Sequence, residues 1–129
     1  MSLKAAFIGL GAMGAPMAGH LHTKGLLAAV GNRSQAKADA LAKELGVAAP
    51  ALADIAASCD VIALCVSADA DVIGVVEALA PSLKKGAIVI DHSTVAPATA
   101  IRAARILAEA GADFLDAPVS GGVEGAKNG

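Results

Sequence analysis

The sequence predicts an α/β fold, a doubly wound parallel sheet with helices on both faces. Three observations carry this. Short β-type runs alternate with longer helical stretches along the whole chain, the pattern of strands joined by helical crossovers. The run at 61–66 (VIALCV) is apolar without interruption, as in a strand covered on both faces; a half-exposed antiparallel strand would alternate. Glycine follows the helical stretches at Gly25, Gly46 and Gly111, where chains often leave a helix through a left-handed residue.

Residues 4–8 read as a first strand and 12–24 as a helix closed by Gly25. Leu27–Gly31 is a second short strand. Ser34 caps a helix over Gln35–Leu45, and Gly46 ends it. A brief strand at 47–49 and a short helix at 50–57 lead to the buried strand at 61–66. Asp69–Leu79 is helical, with Asp69 near the positive end of its dipole. A turn at 81–86 precedes another buried strand at 87–90. Pro97 suits the first turn of a helix over 97–110. Asp113–Asp116 is the last short strand, and 119–125 reads as a glycine-rich loop.

Composition excludes several function classes. A chain of 129 residues fits one domain, and 56% hydrophobic residues supply its core. The charged share of 17% lies below the roughly 25% of an average soluble domain, which argues against disorder. Phe7 and Phe114 are the only aromatics, too few for base stacking. Ten basic against twelve acidic residues leave a net charge of -2, with no surplus to neutralise a nucleic-acid backbone. Cys59 and Cys65 form no metal-ligand pattern, and no metal is expected. Cys65, inside an apolar run, reads as a small buried hydrophobe. A reducing cytoplasm fits this cysteine usage. Lys4 before the uncharged stretch 5–18 mimics a secretory signal, but its glycine spacing and Pro16 oppose that reading. No run of 18 apolar residues exists, so no membrane span is expected.

The chemistry concentrates at Gly9-Leu10-Gly11-Ala12-Met13-Gly14, a G-x-G-x-x-G between a predicted strand and a predicted helix. In this Rossmann-type context Gly9 makes the tight turn, Gly11 admits a pyrophosphate to the backbone, and Gly14 lets the helix approach the sheet. Free amides and the helix dipole then hold the anion. At the end of the second strand, an acid on the ribose 2′-hydroxyl would signal NAD. The sequence has Asn32-Arg33-Ser34 instead. Arg33 can pair with a 2′-phosphate and stack on adenine, so the expected cofactor is NADP, with NAD second. Methyltransferases that bind S-adenosylmethionine also use glycine-rich turns, but the missing acid counts against them.

These residues resemble the β-hydroxyacid dehydrogenases, the group of 3-hydroxyisobutyrate dehydrogenase, tartronate semialdehyde reductase and the glyoxylate or succinic semialdehyde reductases. The resemblance spans nearly the whole chain. It rests on the glycine loop with Pro16-Met17-Ala18, on Asn32-Arg33-Ser34, on Asp91-His92-Ser93-Thr94 with Pro97, and on Asp116-Ala117-Pro118-Val119-Ser120-Gly121-Gly122. It implies Thr94 near the nicotinamide, Cys65, Val66 and Ser67 along the cofactor, and Ser120, Gly121 and Gly122 at the substrate carboxylate. His92, beside this motif, is given no proton-transfer role. Two positions depart from the family: Ser67 replaces a frequent proline, and Gly31 a frequent aromatic.

The resemblance further implies a catalytic lysine beyond Gly129, on a helix leading into an all-helical second domain that closes the cleft and builds the dimer. The expectation is therefore a cofactor domain, inactive alone, from a homo-oligomeric oxidoreductase. Its reaction would move hydride between NADP(H) and a small 3-hydroxy acid or the matching semialdehyde. Two alternatives stay open. One is a self-contained module that senses or stores a dinucleotide. The other is an imine reductase-like enzyme, although those proteins tend not to carry the Asp-Ala-Pro-Val-Ser-Gly-Gly segment. 6-Phosphogluconate dehydrogenases stand further off.

Overall fold

The computed structural model describes residues 3–129. Five strands, β1 (Ala5–Ile8), β2 (Leu27–Gly31), β3 (Val61–Leu64), β4 (Ile88–Asp91) and β5 (Asp113–Asp116), alternate with six helices. The helices are α1 (Gly14–Thr23), α2 (Gln35–Leu45), α3 (Leu52–Ser58), α4 (Asp69–Leu79), α5 (Pro97–Glu109) and α6 (Gly122–Asn128). All strand pairs are parallel, in the order β2-β1-β3-β4-β5. The chain winds outward from β1 to β2, then returns to the other side of β1 with β3. That reversal opens a crevice at the carboxyl ends of β1 and β3, where such sheets bind ligands. This is the Rossmann-type sheet expected from the sequence.

Each central strand feeds two cores because successive side chains point to opposite faces. Ala6 and Ile8 of β1, with Ile62 and Leu64 of β3, join Ile55, Val72, Val76, Leu79 and Leu107 of α3, α4 and α5. Phe7 and Ala63 face the other way, onto Ala18 of α1 and Ala38 and Ala42 of α2. The unbroken apolar character of 61–64 follows from that double burial.

Several boundaries differ from the sequence reading. The first helix starts at Gly14 because Gly9 takes a left-handed turn (φ +100°) and residues 11–13 complete it. The third strand stops at Leu64 rather than Val66: the Val66 amide donates to the Ser93 hydroxyl at 2.8 Å instead of to a strand. Residues 47–49 supply one bridge, Ala29 to Ala48, rather than a strand. Residues 80–82 form a short 3-10 turn. The largest difference lies in the glycine-rich 119–125 segment, half of which is helical. Left-handed Gly121 (φ +100°) and Gly122 (φ +59°) turn the chain, and the Gly125 amide donates to the Gly121 carbonyl at 3.0 Å. The expected glycine exits hold: Gly25, Gly46 and Gly111 all have positive φ.

Candidate functional site

The glycine turn is dictated by close packing at two of its three glycines. A Cβ on Gly9 would lie 2.0 Å from the Cys65 carbonyl oxygen, and one on Gly14 would lie 1.7 Å from the Gly9 carbonyl oxygen. Both contacts are impossible for real side chains, so β1, β3 and α1 meet only because these positions are glycine. Gly11 is different. A Cβ there would meet no protein atom within 4 Å, so nothing inside the protein requires glycine at that position. The amino end of α1 also carries no side-chain cap, which leaves its first amides without a side-chain acceptor.

The end of β2 is tied to this turn. The Leu10 amide donates to Asn32 Oδ1 at 2.9 Å, and Asn32 Nδ2 donates to the Ser34 carbonyl at 3.3 Å. Asn32 therefore acts as a strut between the two walls. Ser34 Oγ accepts the Lys37 amide as the cap of α2. Arg33 points outward, with its side chain 81% exposed, and pairs with Asp71 in the first turn of α4. Gly31 is buried. A Cβ on it would sit 3.3 to 3.5 Å from side-chain carbons of Ile55, Ile8 and Leu52, so aliphatic groups already fill the space beside the strand.

A buried chain of hydrogen bonds supports the opposite wall. Asp91, fully buried, accepts the Ser93 amide at 2.9 Å, and Ser93 in turn accepts the Val66 amide. Asp91 Oδ2 has no partner. Burial pushes the Asp91 carboxyl up from its ordinary value, against the lowering effect of its bonds to Ser93, and nearby Asp116 adds to the rise. Burial also raises the Cys65 thiol, with the Asp91 charge second. Cys65 is half-buried rather than a core residue, and both cysteines are free thiols.

A groove of about 570 Å³ joins these walls. Gly9, Leu10, Gly11, Asn32, Arg33, Ser34, Cys65, Val66 and Ser67 all line it, together with Lys37, Asp71 and Val75. Nine of the residues singled out from the sequence thus meet in one place. A second groove of about 490 Å³ lies on the α1 side of the sheet, between α1 and α6. It takes Met13, Ser120 and Gly122, with Phe7, Met17, Ile90 and His92. Ala12, Gly14, Gly121 and Thr94 line neither groove, and Thr94 is exposed just past β4. His92 stacks on Phe7 with ring centroids 6.5 Å apart, and its Nδ1 lies 2.9 Å from the Ala117 carbonyl.

Sequence reasoning placed Asp91 in a motif without giving it a role, and missed Lys37 and Asp71. The spacing Asp91-x-Ser93 was a usable signal, since aspartate commonly accepts the amide two residues on. Nothing local marks Asp71 as the partner of a residue 38 positions away. Among the described residues, no group of three His, Cys, Asp or Glu could hold a metal ion. No helix among them is long and apolar enough to cross a membrane.

Residues 4–129 match the family model described as the NAD binding domain of 6-phosphogluconate dehydrogenase. An NAD-dependent L-serine dehydrogenase of Pseudomonas aeruginosa is 38% identical over 127 residues, covering 96% of this chain and 43% of that protein. The structure of Mycobacterium tuberculosis 3-hydroxyisobutyrate dehydrogenase with L-serine superposes with a TM-score of 0.91 at 29% identity, over 99% of this chain and 44% of that one. Psf3 in complex with NADP+ and 2-OPP gives a TM-score of 0.84 at 37% identity, over 96% of this chain and 45% of that one. A reductive aminase of Aspergillus terreus shares the fold at 26% identity, with a TM-score of 0.73 over 88% of this chain and 40% of that one. The chain spans less than half the length of each of these proteins. With the glycine turn, the switch-point groove and the family match all on the same residues, the chain belongs to the 6-phosphogluconate dehydrogenase NAD-binding domain family.

Proposed function

We propose that this chain is the cofactor-binding part of an oxidoreductase that moves hydride between NADP(H) and a small 3-hydroxy acid or the matching semialdehyde or 3-oxo acid. The observation that carries the cofactor half is the groove itself. It collects the glycine turn, Arg33 and the 65–67 segment, and the end of β2 that lines it has no carboxylate. The dinucleotide fits these residues: Gly11 lines the groove yet contacts no protein atom that would demand a glycine.

In this reading Gly9 and Gly11 bring the backbone against a pyrophosphate, and the amides from Gly11 to Gly14 bind its oxygens. Arg33 pairs with the 2′-phosphate and covers the adenine, while Lys37 and Ser34 add charge and a hydroxyl on the same wall. Asn32 keeps the turn and the Arg33 wall in register. Cys65, Val66 and Ser67 line the dinucleotide path, held in place by Ser93. Met13 and Thr94 border the nicotinamide end. Ser120, Gly121 and Gly122 orient the substrate carboxylate through a hydroxyl and amides. When bound, the nicotinamide supplies or takes the hydride. The proton on the carbonyl oxygen belongs to a lysine outside this chain, so 1–129 binds dinucleotide and turns over little or nothing. The full-length enzyme is a homo-oligomer.

The relatives support both cofactors, one being NAD-dependent by name and one bound to NADP+. The NADP assignment therefore rests on Arg33 and on the absence of an acid at the end of β2. Calorimetric titration of the chain tests it. NADPH should bind about tenfold or more tightly than NADH, the worth of one charge-assisted phosphate contact. Equal affinities, or a preference for NADH, would reject NADP as the cofactor. A semialdehyde assay on the same sample should show little NADPH oxidation. Rapid turnover would overturn the assignment of the proton donor outside the chain.

A further inference from the structure

We propose that Asp71 sets how sharply this groove distinguishes the two dinucleotides, by competing with a ribose 2′-phosphate for the Arg33 guanidinium. This rests on the assignment of Arg33 to that phosphate. Arg33 leaves the end of β2 with its side chain 81% exposed, so packing does not fix it. Among the described residues its one ion pair is with Asp71, on α4 across the groove. Both residues line the groove, and the pair therefore spans it.

The two acids in the first turn of α4 have separate duties. Asp69 Oδ2 accepts the Ala96 amide at 3.0 Å and the Thr99 hydroxyl at 2.6 Å, which fastens α4 to the start of α5. Those bonds also hold the Asp69 carboxyl below its ordinary value, the Thr99 hydroxyl contributing most. Asp71 has no such structural bond among the described residues; Arg33 is the one polar partner of its side chain there. One first-turn acid thus belongs to the scaffold and the other to the groove.

A 2′-phosphate and the Asp71 carboxylate both seek the same fork of guanidinium donors. A phosphorylated ribose must displace Asp71, or share Arg33 with it against the repulsion of two neighbouring anions. A ribose with a free 2′-hydroxyl meets neither cost. Asp71 therefore weakens binding of the phosphorylated ligand selectively, and trims the preference that Arg33 and Lys37 create.

The test uses two ligands that differ only at the 2′ position and carry no nicotinamide: adenosine 2′,5′-bisphosphate and adenosine 5′-monophosphate. Titrated into the chain, Asp71→Asn should bind the bisphosphate about three- to tenfold more tightly, a range set by one released surface ion pair plus one removed repulsion. The monophosphate should change by less than about twofold. Asp71→Ser, which keeps a small polar residue in the helix's first turn, should behave alike. In the Arg33→Ala background only the repulsion is left to remove, so the selective gain from Asp71→Asn should shrink to about twofold or less. An unchanged bisphosphate-to-monophosphate ratio in both Asp71 variants, with Arg33→Ala still weakening the bisphosphate, overturns the competition and leaves the role of Arg33 standing. Bisphosphate binding unmoved by Arg33→Ala, or no binding of either ligand, removes the cofactor assignment and this inference with it.

Discussion

The two grooves that flank the glycine turn are built on opposite plans. The one at the end of β2 has walls pinned by specific polar bonds, Asn32 to Leu10 and Ser93 to Val66, and carries an exposed charge at Arg33. The one on the α1 side is lined by Phe7, Met13, Met17, Leu21, Ala63 and Ile90. Its two histidines spend hydrogen bonds on the carbonyls of Ala117 and Ala126. The first groove has direction and charge; the second has apolar area and little orientation. A polar ligand is recognised by groups held in place before it arrives, so on the proposed assignment selectivity for the dinucleotide is concentrated in the first groove. The second groove, on the same assignment, sets apolar area beside Ser120 and Gly122.

Glycine substitutions break this contrast most sharply. Gly14→Ala forces a Cβ onto the Gly9 carbonyl oxygen at 1.7 Å, so α1 must move off the sheet, the second groove loses a wall and the glycine turn of the first is distorted. The expected loss is about 2–4 kcal/mol of stability, read from urea unfolding. Gly11→Ala meets no protein atom and should leave stability within about 0.5 kcal/mol. It should nonetheless weaken NADPH binding by about tenfold or more, the cost of holding a phosphate off its backbone amides by one methyl group. If Gly11→Ala bound NADPH like the parent, the pyrophosphate would not lie where the first groove places it.

The same wall carries a pH signature. The folded-state value of Asp91 is raised by burial, so its contribution to stability is fully present below the ordinary carboxylate range. That contribution is lost as pH rises through the raised value. Asp60 and Asp69 have the opposite sign, since bonds from Lys84 and Thr99 respectively, the largest causes, lower their values; their contributions fade as pH falls. Asp91→Asn keeps the oxygen that accepts the Ser93 amide and removes the ionisation. The difference in melting temperature, variant minus parent, should therefore climb with pH across the raised titration. Subtraction cancels Asp60 and Asp69. A pH-independent difference would mean that Asp91 is not charged at a cost in the folded protein.

What the sequence revealed follows the same division. Asn32, Arg33 and Ser34 are consecutive and sit just past a strand, and the glycines stand at fixed spacing, so local pattern exposed the first groove. Val66 and Ser67 end an apolar run whose double burial was plain from its composition. The rest depends on contacts distant along the chain. Asp71 meets Arg33 only after α4 packs across the crevice. The helix at Gly122–Asn128 has two glycines in seven residues and alanine as its one buried residue, so neither propensity nor periodicity announces it. The Gly121 and Gly122 turn and the packing of α6 on α1 determine its course.

That last contact gives the smallest effect and the finest test of the contrast. His20 projects from α1, and its Nε2 donates to the Ala126 carbonyl at 2.7 Å, in the last turn of α6. Helix ends leave such carbonyls without an internal partner, so the imidazole satisfies one that α6 cannot. A seven-residue helix is marginal by itself, and this bond together with buried Ala126 anchors it. His20→Ala should cost about 0.5–1 kcal/mol, felt locally as faster amide exchange across 122–128. Exchange in β1 and β3 should not change, because α6 packs mainly on α1 and adds no hydrogen bond to the sheet ladders. NADPH affinity should stay within about twofold of the parent. Faster exchange confined to α6 would show that the second groove can loosen while the first keeps its grip. Equal acceleration in the 65–67 segment would mean instead that the two grooves share one cooperative unit, and that the polar wall depends on the apolar one for its order.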